Sequence, residues 1–417
     1  MALAAALAYA NTLHNLPVLD DGWAIFDNPL IKHVDQVGAI FRGSYGAAAA
    51  VEHRGLYRPL TTLSYAINWQ MGGLDVLGYH VVNIGLHVLC CLLVLDLATL
   101  LGEAAHPGTP RATAALLAAL LFAVHPVHVE AVTALVGRSE LLAAGGALGC
   151  IYLTCTRRRA RWRYPVALVL LGAGILSKEN AAVAPLLFAL VAVTLPGAAD
   201  LEARPGTGSA EARRALRQGG ALVAGMAAVI AICVLLRPPD AKIPVAALWF
   251  HDLDGRIVFN TMTRVLAEYW QLLVVPVPLG LHFYYASRFP YTPTFTLACL
   301  VDTAVWLAIL CAGGASLRRA PLRAVGILWV FIALLPVLNI VRGGVLMAER
   351  LLYLPSVGFC ILAGTGVAAL RAHLNAAWGR VLAVGIAAVG ILLAVKTWTR
   401  NAEWQNGYAL WRAEVAR

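Results

Sequence analysis

Apolar runs recur along this chain at a length that suits a membrane better than a soluble core. Runs over 78–101, 132–155, 219–236, 295–317, 351–370 and 381–398 approach the roughly 20 residues a helix needs to cross the hydrocarbon. Shorter runs at 1–13, 112–127, 165–177, 181–195 and 325–341 bring the series to about eleven. The pattern predicts an all-α polytopic membrane protein, because only helices satisfy their backbone within a single spanning segment. One stretch, 264–276, is apolar but short, and Pro276 and Pro278 stop it; it reads as a re-entrant or surface helix on the outer side. Residues 31–68 are too polar to span and read as short surface helices, one of them opened by Pro59 in its first turn. The run at 1–13 has no basic segment before it and reads as a first helix trimmed at its N-terminus, not as a signal peptide.

Composition sharpens this picture. Of 417 residues only 13% are charged and 60% are hydrophobic, against about 25% charged in a soluble domain; the mean hydropathy is +0.74. The net charge of +10 resides in short loops and accompanies no nucleic-acid-binding motif, so it speaks of topology. Arg157, Arg158, Arg159, Arg161 and Arg163 crowd one loop; Arg318, Arg319 and Arg323 another; Arg204, Arg213, Arg214 and Arg217 a third; Arg371 and Arg380 bracket a fourth. The positive-inside rule makes these loops cytoplasmic. Alternation then places the loops holding Asp20-Asp21, His125–Glu130, Lys178-Glu179 and 342–353 on the outer face. The eight cysteines fall within apolar segments without metal or redox spacing and read as packing residues.

The outer loops carry the candidate chemistry. Asp20 and Asp21 are adjacent carboxylates in a chain with few charges, and Asp27 follows. They read either as a solvated turn before a helix start or as a catalytic pair. Lys178 and Glu179 stand at the apex of two helices too short to span fully, so they are submerged; a structural ion pair is the plain reading and substrate binding the other. His125, His128 and Glu130 surround Pro126, which makes a weak metal spacing and a better helix-end network or substrate contact. Arg138 with Glu140, and Glu349 with Arg350 and Tyr353, add charge at other outer helix ends, and a guanidinium there suits a phosphate. His80 and Asn83 open the helix at 78, with His87 a turn further in as a core histidine. Transporters place such charges near the bilayer midplane. Clustering at one surface predicts instead a membrane enzyme acting on a lipid-borne substrate.

These stretches also resemble a known family, in order. They are Asp20-Asp21 with Ala24-Ile25 and Asn28; Tyr57-Arg58-Pro59-Leu60-Thr61; Gly78-Tyr79-His80-Val81-Val82-Asn83; and Phe122-Ala123-Val124-His125-Pro126-Val127-His128-Val129-Glu130 with Gly137-Arg138. Ser177-Lys178-Glu179, Leu334-Leu335-Pro336-Val337-Leu338-Asn339-Ile340 and Ala348-Glu349-Arg350-Leu351-Leu352-Tyr353-Leu354-Pro355 follow. Together they resemble the transmembrane and tetratricopeptide-repeat O-mannosyltransferases and their bacterial relatives, similar in fold to protein O-mannosyltransferases of the GT-C class. The resemblance implies one transmembrane catalytic domain over 1–399, with outer loops at 14–76 and 238–294, and a C-terminal extension beginning at 400–417 without its repeats. It implies a polyprenyl-phosphate-linked sugar donor, typically mannose, a protein Ser/Thr acceptor, and an acidic pair at Asp20 and Asp21 as the catalytic centre. The flavour of the motifs implies a bacterial plasma membrane with the site on its outer face, or an endoplasmic reticulum membrane with a luminal site in a eukaryote.

The chemistry asks for the same groups. A carboxylate deprotonates the acceptor hydroxyl, and cations hold the departing phosphate. Asp20 or Asp21 is the base candidate, with Asp20 preferred as the first acidic residue. Arg350, Lys178 and Arg138 are the phosphate candidates, His80, His125, His128 and Glu130 orienting groups, and Arg58, Glu179, Glu349 and Tyr353 further donor- or substrate-binding candidates. No metal is required, with a divalent ion as the lesser alternative. A transporter or flippase of a lipid-linked sugar, or a membrane scaffold, are the other function classes.

Overall fold

The computed structural model describes residues 1–45, 56–106, 112–156, 160, 162–195, 209–238, 250, 252–340 and 345–417. Its helices are α1 (Ala2–Ala8), α2 (Val37–Arg42), α3 (Pro59–Gly72), α4 (Val76–Ala105), α5 (Ala112–Val124), α6 (Val129–Thr133), α7 (Arg138–Cys155), α8 (Arg163–Ser177) and α9 (Ala184–Thr194). They continue as α10 (Ser209–Leu235), α11 (Gly255–Val274), α12 (His282–Arg288), α13 (Leu297–Ser316), α14 (Pro321–Leu334), α15 (Pro355–Ala372), α16 (Ala376–Glu403) and α17 (Gly407–Val415). No strand occurs among the described residues.

Five helices there are long and apolar enough to cross a membrane, and six if α5 and the helical turns after Pro126, bent by 51°, form one broken span. The sequence holds about eleven apolar runs because several are cut by polar breaks. Lys178 separates α8 from the turn Glu179–Val183 and α9, and Pro336 interrupts the run that α14 begins. Helix α7 reaches 18 residues but starts with Arg138 and Glu140. The short apolar helices therefore end at polar segments. Four of the five arginines of the 157–163 loop lie outside the described residues. The stretch expected as a short re-entrant helix is the second half of α11, a 20-residue helix capped by Asp254, whose carboxylate accepts from Arg256 N. Ahead of α3, the described part of the first loop up to residue 45 is a series of short helical segments, and α3 ends at Gly73, whose φ of +58° suits glycine.

Small residues let the helices close. A Cβ on Gly146 of α7 would lie 2.5 Å from the Leu170 carbonyl of α8 and 2.7 Å from Gly174. Gly358 of α15 meets Gly326 of α14 in the same way. Seven cysteines are buried in this packing; Cys311, on α13, is exposed. The chain ends meet as well: Asn15 donates to the Asn401 carbonyl at 3.1 Å, and the Asn401 amide donates to the Ala8 carbonyl at 2.9 Å.

Candidate active site

The four loops expected on the outer face and the segments beside them form one polar layer. The Asp20-Asp21 pair enters it after Leu19, which holds φ +50°, a left-handed backbone that costs a non-glycine residue about 1–2 kcal/mol. The two carboxylates then diverge. Asp21 is 1% exposed; its Oδ2 accepts from Val18 N at 3.0 Å and its Oδ1 from Val136 N at 2.9 Å. It thus ties the first loop to the turn before α7. Burial pushes its pKa up to about 7, with the backbone N–H groups of Val18, Val136 and Leu135 pulling against it. Asp20 is only part-buried, and its Oδ1 accepts from Trp23 Nε1 at 3.1 Å.

Arg350 stands opposite. It comes from the turn Glu349–Leu352, and Glu130 of α6 binds it twice: through the guanidinium and through the backbone, Arg350 N donating to Glu130 Oε2 at 2.9 Å. Glu130 is nearly buried, whereas 22% of the Arg350 side chain is exposed. Burial disfavours its charge, but Glu130, then Asp20 and Glu140, outweigh that and raise its pKa. Asp20 therefore acts on Arg350 through space while Glu130 holds it.

Lys178 and Glu179 do not pair with each other. Lys178 binds Glu140, which also accepts from Asn180 at 3.3 Å. Glu179 pairs with Arg58 at 3.1 Å, its own side chain 60% exposed. Arg138 is fully buried and its donors are engaged: Nε to Asn83 Oδ1 at 2.9 Å, Nη1 to Ser64 O and Nη2 to Tyr79 O, both at 3.1 Å. Its guanidinium also lies over Tyr65 and Tyr79. Asn83 in turn donates to the Val132, Ala134 and Leu135 carbonyls. Arg138 is the pin of the wall behind Asp21, with its front donors engaged in protein.

Four histidines, His80, His87, His125 and His128, are buried and bonded to protein. His80 reaches the Asn15 carbonyl and His125 the Leu273 carbonyl, each at 3.0 Å. His128 contacts the Phe122 carbonyl at 2.9 Å and Ser356 Oγ at 2.8 Å. His87 contacts Tyr353 OH at 2.8 Å and the Ala123 carbonyl at 3.2 Å. Among the described residues no group of three or more His, Cys, Asp or Glu side chains is arranged to hold a metal.

Glu349 points away from Arg350. It is fully buried, accepts from Gly280 N and from Tyr285 OH at 3.1 Å, and lies 3.7 Å from Arg400. Burial lifts its pKa to about 7, against the pull of Arg400. Arg400, fully buried at the end of α16, escaped sequence reasoning, although an arginine closing a membrane-length apolar helix is itself a signal. His282 was missed too. It opens α12 between Leu281 N, which donates to Glu414 at 3.0 Å, and Tyr284 N, which donates to the same carboxylate at 3.2 Å. Burial lowers its pKa first and Arg350 next, while Glu130, Asp20 and Glu414 oppose them. Arg350 and Asp20 therefore lie within electrostatic reach of His282.

Fold and layer together define a multi-pass helical membrane protein with a network of carboxylates and guanidiniums at one end of its bundle. Its sequence is similar to the protein O-mannosyl-transferases. It is 28% identical to protein O-mannosyl-transferase Tmtc1 of Drosophila melanogaster over 99% of this chain and 56% of that protein. It is 29% identical to protein O-mannosyl-transferase F38B6.6 of Caenorhabditis elegans over 98% of this chain and 56% of that one. Protein O-mannosyl-transferase TMTC4 of Homo sapiens is 28% identical over 99% of this chain and 60% of its own length. The chain thus spans little more than half the length of these relatives. No protein-family model matches. Among solved structures, an Archaeoglobus fulgidus oligosaccharyltransferase in complex with Zn and sulfate aligns with a TM-score of 0.49 at 12% identity, over 97% of this chain and 53% of that one. The oligosaccharyltransferase AglB of the same organism, with an inhibitory peptide and a dolichol-phosphate, aligns at 0.47 and 16% identity, over 97% and 55%.

Proposed function

We propose that this protein is a GT-C-type membrane glycosyltransferase that moves a sugar, mannose first among the candidates, from a polyprenyl-phosphate donor to a Ser or Thr hydroxyl of a protein or peptide. The reaction takes place at the outer face of a bacterial plasma membrane. Asp20 takes the hydroxyl proton, and the hydroxyl oxygen attacks the anomeric carbon. The bond from that carbon to the phosphate oxygen breaks, and polyprenyl phosphate leaves with the electron pair, inverting the sugar. Arg350 meets the negative charge gathering on the phosphate. Arg58 borders the site. Asp21, Arg138, Lys178, Glu140 and the histidines hold the wall, and Glu130 aims Arg350.

The observation that supports this reading most is the divergence of the acidic pair. Asp21 is occupied by two backbone N–H groups, while Asp20 stays part-exposed within the influence of a part-exposed Arg350. An inverting single displacement on a sugar phosphate requires a base on one face of the sugar and a phosphate-binding cation across the sugar from it. The O-mannosyl-transferase names of the relatives support the reaction class and the mannose donor. A flippase would use the cation and leave the base idle. The test is purified protein with a polyprenyl-phosphate mannose and a Ser/Thr-rich peptide, with and without chelator. Peptide glycosylation with stoichiometric release of polyprenyl phosphate supports the enzyme. Donor movement across a vesicle without release supports the flippase. Loss of activity with chelator, restored by added divalent ion, would bring in the metal.

A further inference from the structure

The polar layer does not exhaust the charges of this fold. A second group lies where α11 faces α13: Arg264 and Glu268 one turn apart on α11, Arg288 at the end of α12, and Asp302 on α13. Their pairing is loose. Arg264 Nε is 3.8 Å from Asp302 Oδ2 and Arg288 Nη2 is 3.4 Å from Glu268 Oε2, whereas strong charge-assisted contacts close to about 2.7–2.9 Å. The Phe289 ring lies 5.4 Å from the Arg264 guanidinium and 5.6 Å from that of Arg288, which keeps the two cations on one ring. Two buried polar atoms of this group, Glu268 Oε1 and Arg264 Nε, have no hydrogen-bond partner. Such atoms are expensive to leave bare.

The position is unusual for so much charge. Helix α13 has spanning length, and Val301 and Val305, beside Asp302, are about half exposed. Asp302 is the sixth residue of that helix, roughly 7–8 Å inward from its end at 1.5 Å per residue. That depth, on a lipid-facing helix, is where phospholipid headgroups meet their acyl chains. An ionisable residue there calls for a function or a partner.

Two cations and two anions, loosely paired, net neutral and part-exposed at Arg288, Arg264 and Asp302, match a ligand that carries one charge of each sign a few ångströms apart. We propose that this cluster binds the headgroup of a zwitterionic aminophospholipid. Its primary ammonium sits between Glu268 and Asp302, and its phosphate is held by Arg264 and Arg288. An ammonium with three N–H donors serves two carboxylates, one of them with a bare oxygen; a quaternary ammonium cannot donate at all.

The experiment is native mass spectrometry of the full chain, released from nanodiscs of phosphatidylcholine doped with equal amounts of phosphatidylethanolamine and phosphatidylglycerol. The expected result is retention of the ethanolamine lipid over the other two by about tenfold, the worth of roughly one charge-assisted contact. Glu268→Gln and Asp302→Asn should each abolish that preference, and Asp27→Asn, in the first loop, should keep it. Should Glu268→Gln fail to fold, Asp302→Asn alone carries that expectation, and Arg288→Ala, at the phosphate that all three lipids share, should weaken retention of all three without changing their order. Equal retention of ethanolamine and choline lipids, or a preference that survives all these changes, would overturn the proposal and leave the four charges as a brace between helices. Displacement of the lipid by soluble phosphoethanolamine at equal concentration would overturn it too, since the acyl chains would then contribute nothing.

Discussion

Two adjacent aspartates have separate duties because alternate directions along one turn lead to different surroundings. Asp21 turns into the protein and satisfies Val18 N and Val136 N; Asp20 remains at the surface of the layer. Glu349 and Arg350 divide in the same way, one towards Arg400 and the other towards Glu130. The Arg350 guanidinium should therefore matter for the donor. Arg350→Ala should weaken donor affinity by about 1.5–3 kcal/mol, roughly ten- to a hundredfold, and Lys in its place should recover only part, since an ammonium is no planar fork. Titration calorimetry with a polyprenyl-phosphate sugar checks this, and unchanged affinity in a folded variant removes Arg350 from the site. Glu349 makes a different prediction. Its pKa is raised from the ordinary 4.5 to about 7, so the folded state holds the proton more tightly than the unfolded one. Stability from this source is complete below about pH 4.5 and is lost as pH rises through 7. The thermal midpoint of the wild type should fall between pH 5 and pH 8, and Glu349→Gln should fall less. Identical falls would contradict the assignment. The residue types of this layer were legible in the sequence, since charge is rare there. Their pairing was not: nothing local in Lys178-Glu179 reveals that each partner is elsewhere, on Glu140 and Arg58. Nor does Arg138 announce Asn83, 55 residues away.

Helices were the most legible elements, because apolar runs of spanning length have few alternatives. Their ends were less so. The end of α8 at Ser177 was legible, but α14 stops at Leu334, short of the 325–341 run, and the 264–276 stretch belongs to a helix that begins at Gly255, since amphipathic turns with Arg256 and Asn260 do not register as apolar. The closeness of α7 and α8 depends on glycine on both sides. Gly146→Ala puts a methyl 2.5 Å from the Leu170 carbonyl, while Gly145→Ala places one 3.7 Å from Cys90 Sγ, an ordinary contact. The first change should cost about 1–3 kcal/mol through overpacking, and the second should be near neutral. Differential scanning of the two variants in detergent checks the pair; equal midpoints would mean that the seam yields without strain.

Across the whole molecule, the ends of the helices sort by charge. The polar layer gathers the starts of α4, α7 and α15 and the ends of α8 and α16, while Arg163, Arg323 and Arg371 lie at the opposite ends of α8, α14 and α15. By the positive-inside rule we propose that the latter side is cytoplasmic. In a cysteine-free variant on intact cells, a membrane-impermeant thiol reagent should label a cysteine at exposed Asp27 and spare one at exposed Arg318. The reverse pattern would invert the topology and with it the outward-facing site. The central claim is narrower: Asp20 is the base and Asp21 is not. Its most direct measurement is single-turnover sugar transfer to peptide by Asp20→Asn and Asp21→Asn, beside the donor affinity of each. The account predicts that Asp20→Asn binds donor as the wild type does and transfers about 10²–10⁴-fold more slowly. Asp21→Asn, which disturbs the ties to Val18 and Val136, should lose thermal stability and lose less in transfer per folded molecule. Near-wild-type transfer by the Asp20→Asn enzyme, with donor affinity intact, would contradict it.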